Sequence, residues 1–178
     1  MTPADDPIEP DTKDWTWVLS RACPECGFDA SRMHHTEVGE VIRRDADEWI
    51  RRLETPHAAV RSRPDAWSTL EYGCHVRDVH RIFNHRVTLM LTQHEPLFAN
   101  WDQDQTALDD DYAAQNPGVV AGELFDAAVT VADTYASVPE DGWSRRGLRS
   151  NGSEFTVASI ALYHLHDVVH HGWDVDEH

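Results

Sequence analysis

Apolar residues recur at helical spacing in four separate runs along the chain. From about Ser31 to Leu53, Val38, Val41, Ile42, Trp49 and Leu53 share one face, and Glu40, Arg43, Arg44 and Asp47 occupy the other. Pro56 and Pro64 mark a loop. Ser68-x-x-Glu71 is then a capping-box pattern that opens a helix from about Thr69 to Leu91. One stripe of that helix carries Tyr72, Val76, Val79, Phe83 and Met90; a neighbouring stripe carries His75, Ile82 and Leu89. A third helix is predicted over about Val119 to Ser137, with Leu124, Ala128, Val131 and Tyr135 inward and Pro139 and Gly142 ending it. Asn151-Gly152 predicts a tight turn in a short hairpin. The fourth helix is predicted from about Thr156 to Trp173, with Ser159, Leu162, His166, His170 and Trp173 on its inward face. Four helices of about five turns, with no internal repeat, predict an all-α four-helix bundle.

Between the second and third helices, His94 to Pro117 form a long acidic link without sustained period. A solvated connection is the common reading of such a stretch. Long links inside a compact domain also serve as lids, and Trp101, Asp102, Gln103 and Asp104 would suit that role. Before Ser31 lies an N-terminal extension, residues 1–30, which carries the turn "CPECGFDAS"; residues 31–178 are assigned to the bundle. The Pro- and Asp-rich stretch Met1 to Lys13 is expected to be mobile.

Composition narrows the function. The 178 residues carry 32 acidic and 15 basic side chains, a net charge of −17, which repels phosphate backbones and argues against nucleic acid and anionic membranes as partners. No apolar run approaches the roughly 18 residues of a membrane span. The N-terminus lacks the basic and apolar regions of a signal peptide, so a cytoplasmic location is expected. Three cysteines, Cys23, Cys26 and Cys74, cannot build a disulfide framework.

The chemistry lies in the histidines. His166 and His170 are one helical turn apart, so both rings can reach a single ion. His75, at the edge of the second helix's buried face, is a third donor. Three histidines from two helices leave coordination positions open, as at a catalytic metal. Asp78 and Asp167 are candidate acceptors that orient the imidazoles. His164 and His171 are expected to face solvent, and His80 and His85 to lie off the His75 stripe. Cys23-x-x-Cys26 is half a zinc site, which His34 and His35 could complete, or a redox pair; a packing role is equally open. Cys74 is expected to be a small core residue.

The segments "WSTLEYGCHVRDVHRIF" and "HDVVHHGWDV", in this helical layout, resemble the DinB/YfiT-like metalloenzyme family. That family includes mycothiol- and bacillithiol-dependent S-transferases and the metal domain of mycothiol-dependent maleylpyruvate isomerase. The resemblance implies an up-down-down-up bundle with a divalent metal at one end, held by His75, His166 and His170. Zinc is the first expectation, with nickel, iron and manganese as alternatives. It also implies a small-molecule thiol such as mycothiol and an electrophilic substrate, in S-transfer or isomerisation. A hydrolase on the same site and a non-catalytic metal-binding or stress-response module are the rival readings. Arg145, Arg146 and Arg149, before the last helix, are candidate anchors for an anionic group, with surface solubility as the commoner role. Arg77 and Arg81 are weaker candidates. A homodimer through an exposed helix face is compatible with such a bundle.

Overall fold

A computed structural model describes Ile8 and residues 14–177. The rest of the stretch before Asp14, expected to be mobile, and His178 lie outside the described residues. Four long helices form the bundle: α1 (Val38–Leu53), α2 (Thr69–Thr92), α4 (Pro117–Ala136) and α5 (Val157–Glu177). A short helix, α3 (Gln103–Asp109), lies in the acidic link. Three short strands, β1 (Leu97–Phe98), β2 (Arg146–Arg149) and β3 (Glu154–Thr156), form a sheet in that order. β1 pairs parallel to β2, and β2 pairs antiparallel to β3 through the Asn151-Gly152 turn, where Gly152 takes φ +88°.

Local chemistry sets the helix starts. The α2 capping box is present: Glu71 N–H donates to Ser68 Oγ at 3.2 Å, and Ser68 N–H donates to the Glu71 carboxylate at 2.8 Å. α4 begins two residues before its expected start, because Asn116 accepts from the amides of Gly118 and Val119 and Pro117 fills the first turn. α1 begins later than expected. Residues 30–32 and 35–37 form tighter 3-10 turns, the first capped by Asp29 accepting from Ser31 N–H.

Contacts along the helices fix their directions. The start of α1 meets the end of α4, where Arg43 pairs with Asp133. The end of α1 meets the end of α5, where Arg52 donates to both carboxylate oxygens of Asp176. α2 and α4 run side by side in the same direction, with Arg77 on Glu123 and Thr134 on Asn84 further along. The end of α2 lies beside β2, just ahead of α5; a Cβ on Gly147 there would overlap Phe98 and Met90. The arrangement is therefore up-down-down-up, with α2 antiparallel to α5.

The core includes Trp49, Leu70, Met90, Leu124, Ile160 and Leu165, all under 2% exposed. A polar string crosses it. His80 Nδ1 lies 3.0 Å from His164 Nε2, and His164 Nδ1 lies 2.9 Å from the Tyr135 hydroxyl. Both histidines are fully buried, which corrects the expectation that His164 faces solvent. Burial pushes His80 down to about 3 and His164 well below its usual value, so these rings are neutral parts of the core.

The inward face of α5 also differs from the expected one. Val157, Ile160, Ala161, His164, Leu165 and Val168 are buried against the bundle, whereas Ser159, Leu162 and Trp173 are only half-buried. The residues from Trp15 to Phe28 cover the face of His166 and His170 instead.

Glu71 joins the capping box to a two-pronged pair with Arg61. Burial raises its carboxyl, but Arg61 and the Ser68 donors outweigh this and hold it below the usual range. Glu71→Gln is expected to lower stability by about 1–3 kcal/mol at neutral pH. That contribution is complete above the unfolded value of about 4.3 and is lost as pH falls through the lower folded value. Urea unfolding should show the two proteins converging below about pH 4; a constant gap from pH 7 to pH 3 would assign the effect to packing.

Candidate metal centre

The start of α2 and the end of α5 meet at one end of the bundle. His75, one turn past Glu71, is wholly buried there. Trp101 stacks parallel on its ring at 5.5 Å and 5°, and Trp67 lies 5.5 Å away on another side. His171 approaches edge-on at 4.7 Å. His75 Nε2 and His171 Nε2 converge on the same oxygen, Asp167 Oδ1, at 3.6 and 3.5 Å. One donor atom from each of the three residues lies within 4.8 Å of the others. Asp174 Oδ2 is 2.9 Å from His171 Nδ1. A proton on Nδ1 in that contact leaves the Nε2 lone pair facing Asp167.

These residues fit a divalent metal. Both nitrogens of His75 and Oδ1 of Asp167 are buried without a hydrogen bond, and a cation would take the lone pairs of one His75 nitrogen and of Oδ1, which are otherwise costly to bury. Burial lowers the pKa of His75 and keeps it neutral. Burial raises Asp167, but His75 and His171 together hold its carboxyl well below the usual range. Neutral imidazole and ionised carboxylate are the ligand forms of these residues. Two histidines and a carboxylate, contributed by two helices, leave room for exogenous ligands.

The expected set of His75, His166 and His170 is not assembled. His166 and His170 group instead with Cys23 and Cys26. The two i, i+4 pairs of α5, 166/170 and 167/171, are offset by one residue and so by about 100° around the helix. Asp167, expected behind the histidines, is among the converging donors. His171, expected in solvent, completes them. The signal for His171 was present: Val157, Ile160, Ala161, Leu165 and Val168 define an apolar arc that includes His164 and His171 and excludes His166 and His170.

The remaining candidates separate clearly. Asp78 accepts from Arg77, Arg81 and the Tyr112 hydroxyl. Burial raises its carboxyl, but Arg77 and Tyr112 lead the interactions that hold it below the usual range. Arg145 donates to the carbonyls of Met90 and Gln93, and Arg146 pairs with Glu95 and Glu154. Of the three arginines before α5, only Arg149 lines the cavity beside the histidines. His34 and His35 stack on each other at 4.3 Å and stand apart from the cysteine pair's group. Cys74 is buried, as expected.

That cavity is about 960 Å³, and Trp67, Tyr72, Trp101 and Tyr163 form aromatic parts of its wall. The acidic link supplies a whole side, Asn100 to Asp104. It is thus part of the site rather than a solvated connection. Asp102 caps α3 by accepting from Gln105 N–H, and Trp101 Nε1 donates to Thr106 Oγ1 at 2.9 Å, so α3 holds the tryptophan against His75.

The fold is similar to that of YfiT from Bacillus subtilis, described as a probable metal-dependent hydrolase with an unusual four-helix bundle topology. The TM-score is 0.68 and the identity 16%, over 80% of this chain and 82% of YfiT. It is also similar to the mycothiol-dependent maleylpyruvate isomerase, with a TM-score of 0.59 and 13% identity over 78% of this chain; the match spans 59% of that protein. No curated protein matches the chain in sequence. The family model of the DinB superfamily matches residues 39–175, which takes in α2 and α4 whole, nearly all of α1 and α5, and His75, Asp167 and His171. The chain belongs to the DinB superfamily.

Proposed function

We propose that this protein is a divalent-metal-dependent enzyme in which His75, Asp167 and His171 hold the cation and the adjoining cavity admits the substrate. The observation that carries this reading is the convergence of His75, Asp167 and His171 on the border of a cavity of about 960 Å³, with the His75 nitrogens and Asp167 Oδ1 buried without a hydrogen bond. When bound there, a divalent cation acts as a Lewis acid that makes a coordinated thiol or water more acidic. Asp174 holds the His171 ring in register, and Trp101 and Trp67 shield His75 from bulk water.

The cavity favours one kind of thiol. Asp65, Asp102, Asp104 and Asp174 line it, and among the described residues Arg149 is the single cation there. A thiol bearing several carboxylates is repelled by that wall. A neutral, polyhydroxylated thiol suits it, because carboxylates accept hydroxyl protons and aromatic faces pack against sugar rings. Mycothiol is the representative of that class. The reaction we infer is attack of such a thiol on an electrophile, giving S-transfer or isomerisation. The second reading is hydrolysis, with water in place of the thiol. It is favoured by the similarity in fold to YfiT, itself described as a probable metal-dependent hydrolase.

Two outcomes are expected. His75→Ala, Asp167→Asn and His171→Ala, each with native circular dichroism, lose one metal equivalent by elemental analysis, and Asp174→Ala weakens that equivalent about 10- to 100-fold. Retention of full metal content by all three ligand variants would remove this site. Turnover of an electrophile panel by the metal-loaded protein is expected to require mycothiol. Turnover that is unchanged by saturating thiol while ester or amide hydrolysis proceeds would establish the hydrolase reading.

A further inference from the structure

The N-terminal turn and the outer face of α5 form a second group of donors. Cys23, Cys26, His166 and His170 each place one ligand atom within 4.8 Å of the other three. Cys23, His166 and His170 are buried and Cys26 is half-buried. Cys23 Sγ lies 3.8 Å from His170 Nδ1, and His166 Nε2 is buried without a hydrogen bond. Among the described residues the cysteines are free thiols.

The turn is shaped to present both sulfurs to one side. Gly27 N–H donates to the Cys23 carbonyl at 3.0 Å, and Cys23 N–H donates to the Phe28 carbonyl at 2.8 Å. Gly27 takes φ +73°, a conformation that L side chains rarely adopt. Aromatic rings enclose the group, with Trp15 at 4.9 Å from His170 and Phe28 at 5.6 Å from His166. Glu25 Oε2 stands 3.4 Å from His170 Nε2 and can orient that ring.

We infer that Cys23, Cys26, His166 and His170 form a structural zinc site, separate from the His75 centre, that fastens the N-terminal segment to α5. Two thiolates and two imidazoles are the tetrahedral donor set for which zinc is the best-matched divalent ion. Four protein donors close the coordination sphere, in contrast to the open set at His75. The zinc also positions the neighbouring centre. It holds Trp15 and Glu25 in the wall of the shared cavity and anchors the helical turn that carries Asp167 and His171.

The test is cobalt substitution in the full chain. Cobalt-loaded protein is expected to show the intense visible bands of tetrahedral coordination and a thiolate-to-cobalt charge-transfer band in the near ultraviolet. Cys26→Ser and His166→Ala should abolish the tetrahedral pattern, and His75→Ala should leave it intact. A second measurement needs no variant: titrating native zinc protein with a mercurial reagent should release one zinc per two thiols modified. Cobalt binding without a charge-transfer band, or a band that survives in the Cys23→Ser, Cys26→Ser double variant, would overturn the inference. Loss of metal from His75→Ala with the charge-transfer band retained would separate the two sites, so either can fail alone.

Discussion

A carboxylate whose Oδ1 is buried between two histidines organises this end of the molecule. Taking the Asp167 charge out of water costs several kcal/mol, and burial keeps the adjacent His75 neutral. His75 therefore supplies no compensating charge, and a cation bound among the three residues would supply one. For Asp167 to meet His75, the start of α2 and the end of α5 have to lie side by side. The Ser68–Glu71–Arg61 cluster fixes the first, and the Arg52–Asp176 pair anchors the second to α1. Trp101 closes over the pair from the acidic link.

α5 is buried on two sides, and this explains its composition. One side enters the bundle, where His164 joins His80 and Tyr135 and where Asp167 and His171 reach α2. The other side is covered by the segment from Trp15 to Phe28. Two pairs of metal-type donors one residue apart can thus serve two different environments on the same helix. The 167/171 pair borders a large cavity, and the 166/170 pair meets two cysteines.

Much of the fold was legible along the chain. Ser68 and Glu71 announced α2, the 3.6-residue period located the long helices, and Asn151-Gly152 marked the hairpin. The Asn116-Pro117 start of α4 was equally readable but lies two residues ahead of the first periodic position. The 3-10 turns before α1 were not readable from periodicity, since Asp29 and Glu37 impose them through short side-chain hydrogen bonds. Trp101 and Arg149 reach the cavity only because α3 and the small sheet bring distant segments back to the end of the bundle or along its flank.

The amino-acid sequence by itself determined that the chain is a helical bundle, that His75 lies at the edge of a buried face, and that the end of α5 is rich in metal-type donors. Tertiary structure decided which ligands belong together. Periodicity reports which residues share a face of a helix, but not which element covers that face. The pair at His166 and His170 therefore looked like the partner of His75 until the N-terminal turn was seen to occupy that side. The one-residue offset to Asp167 and His171 turns the donors by about 100°, and that rotation separates a face packed on α2 from one packed on the cysteines.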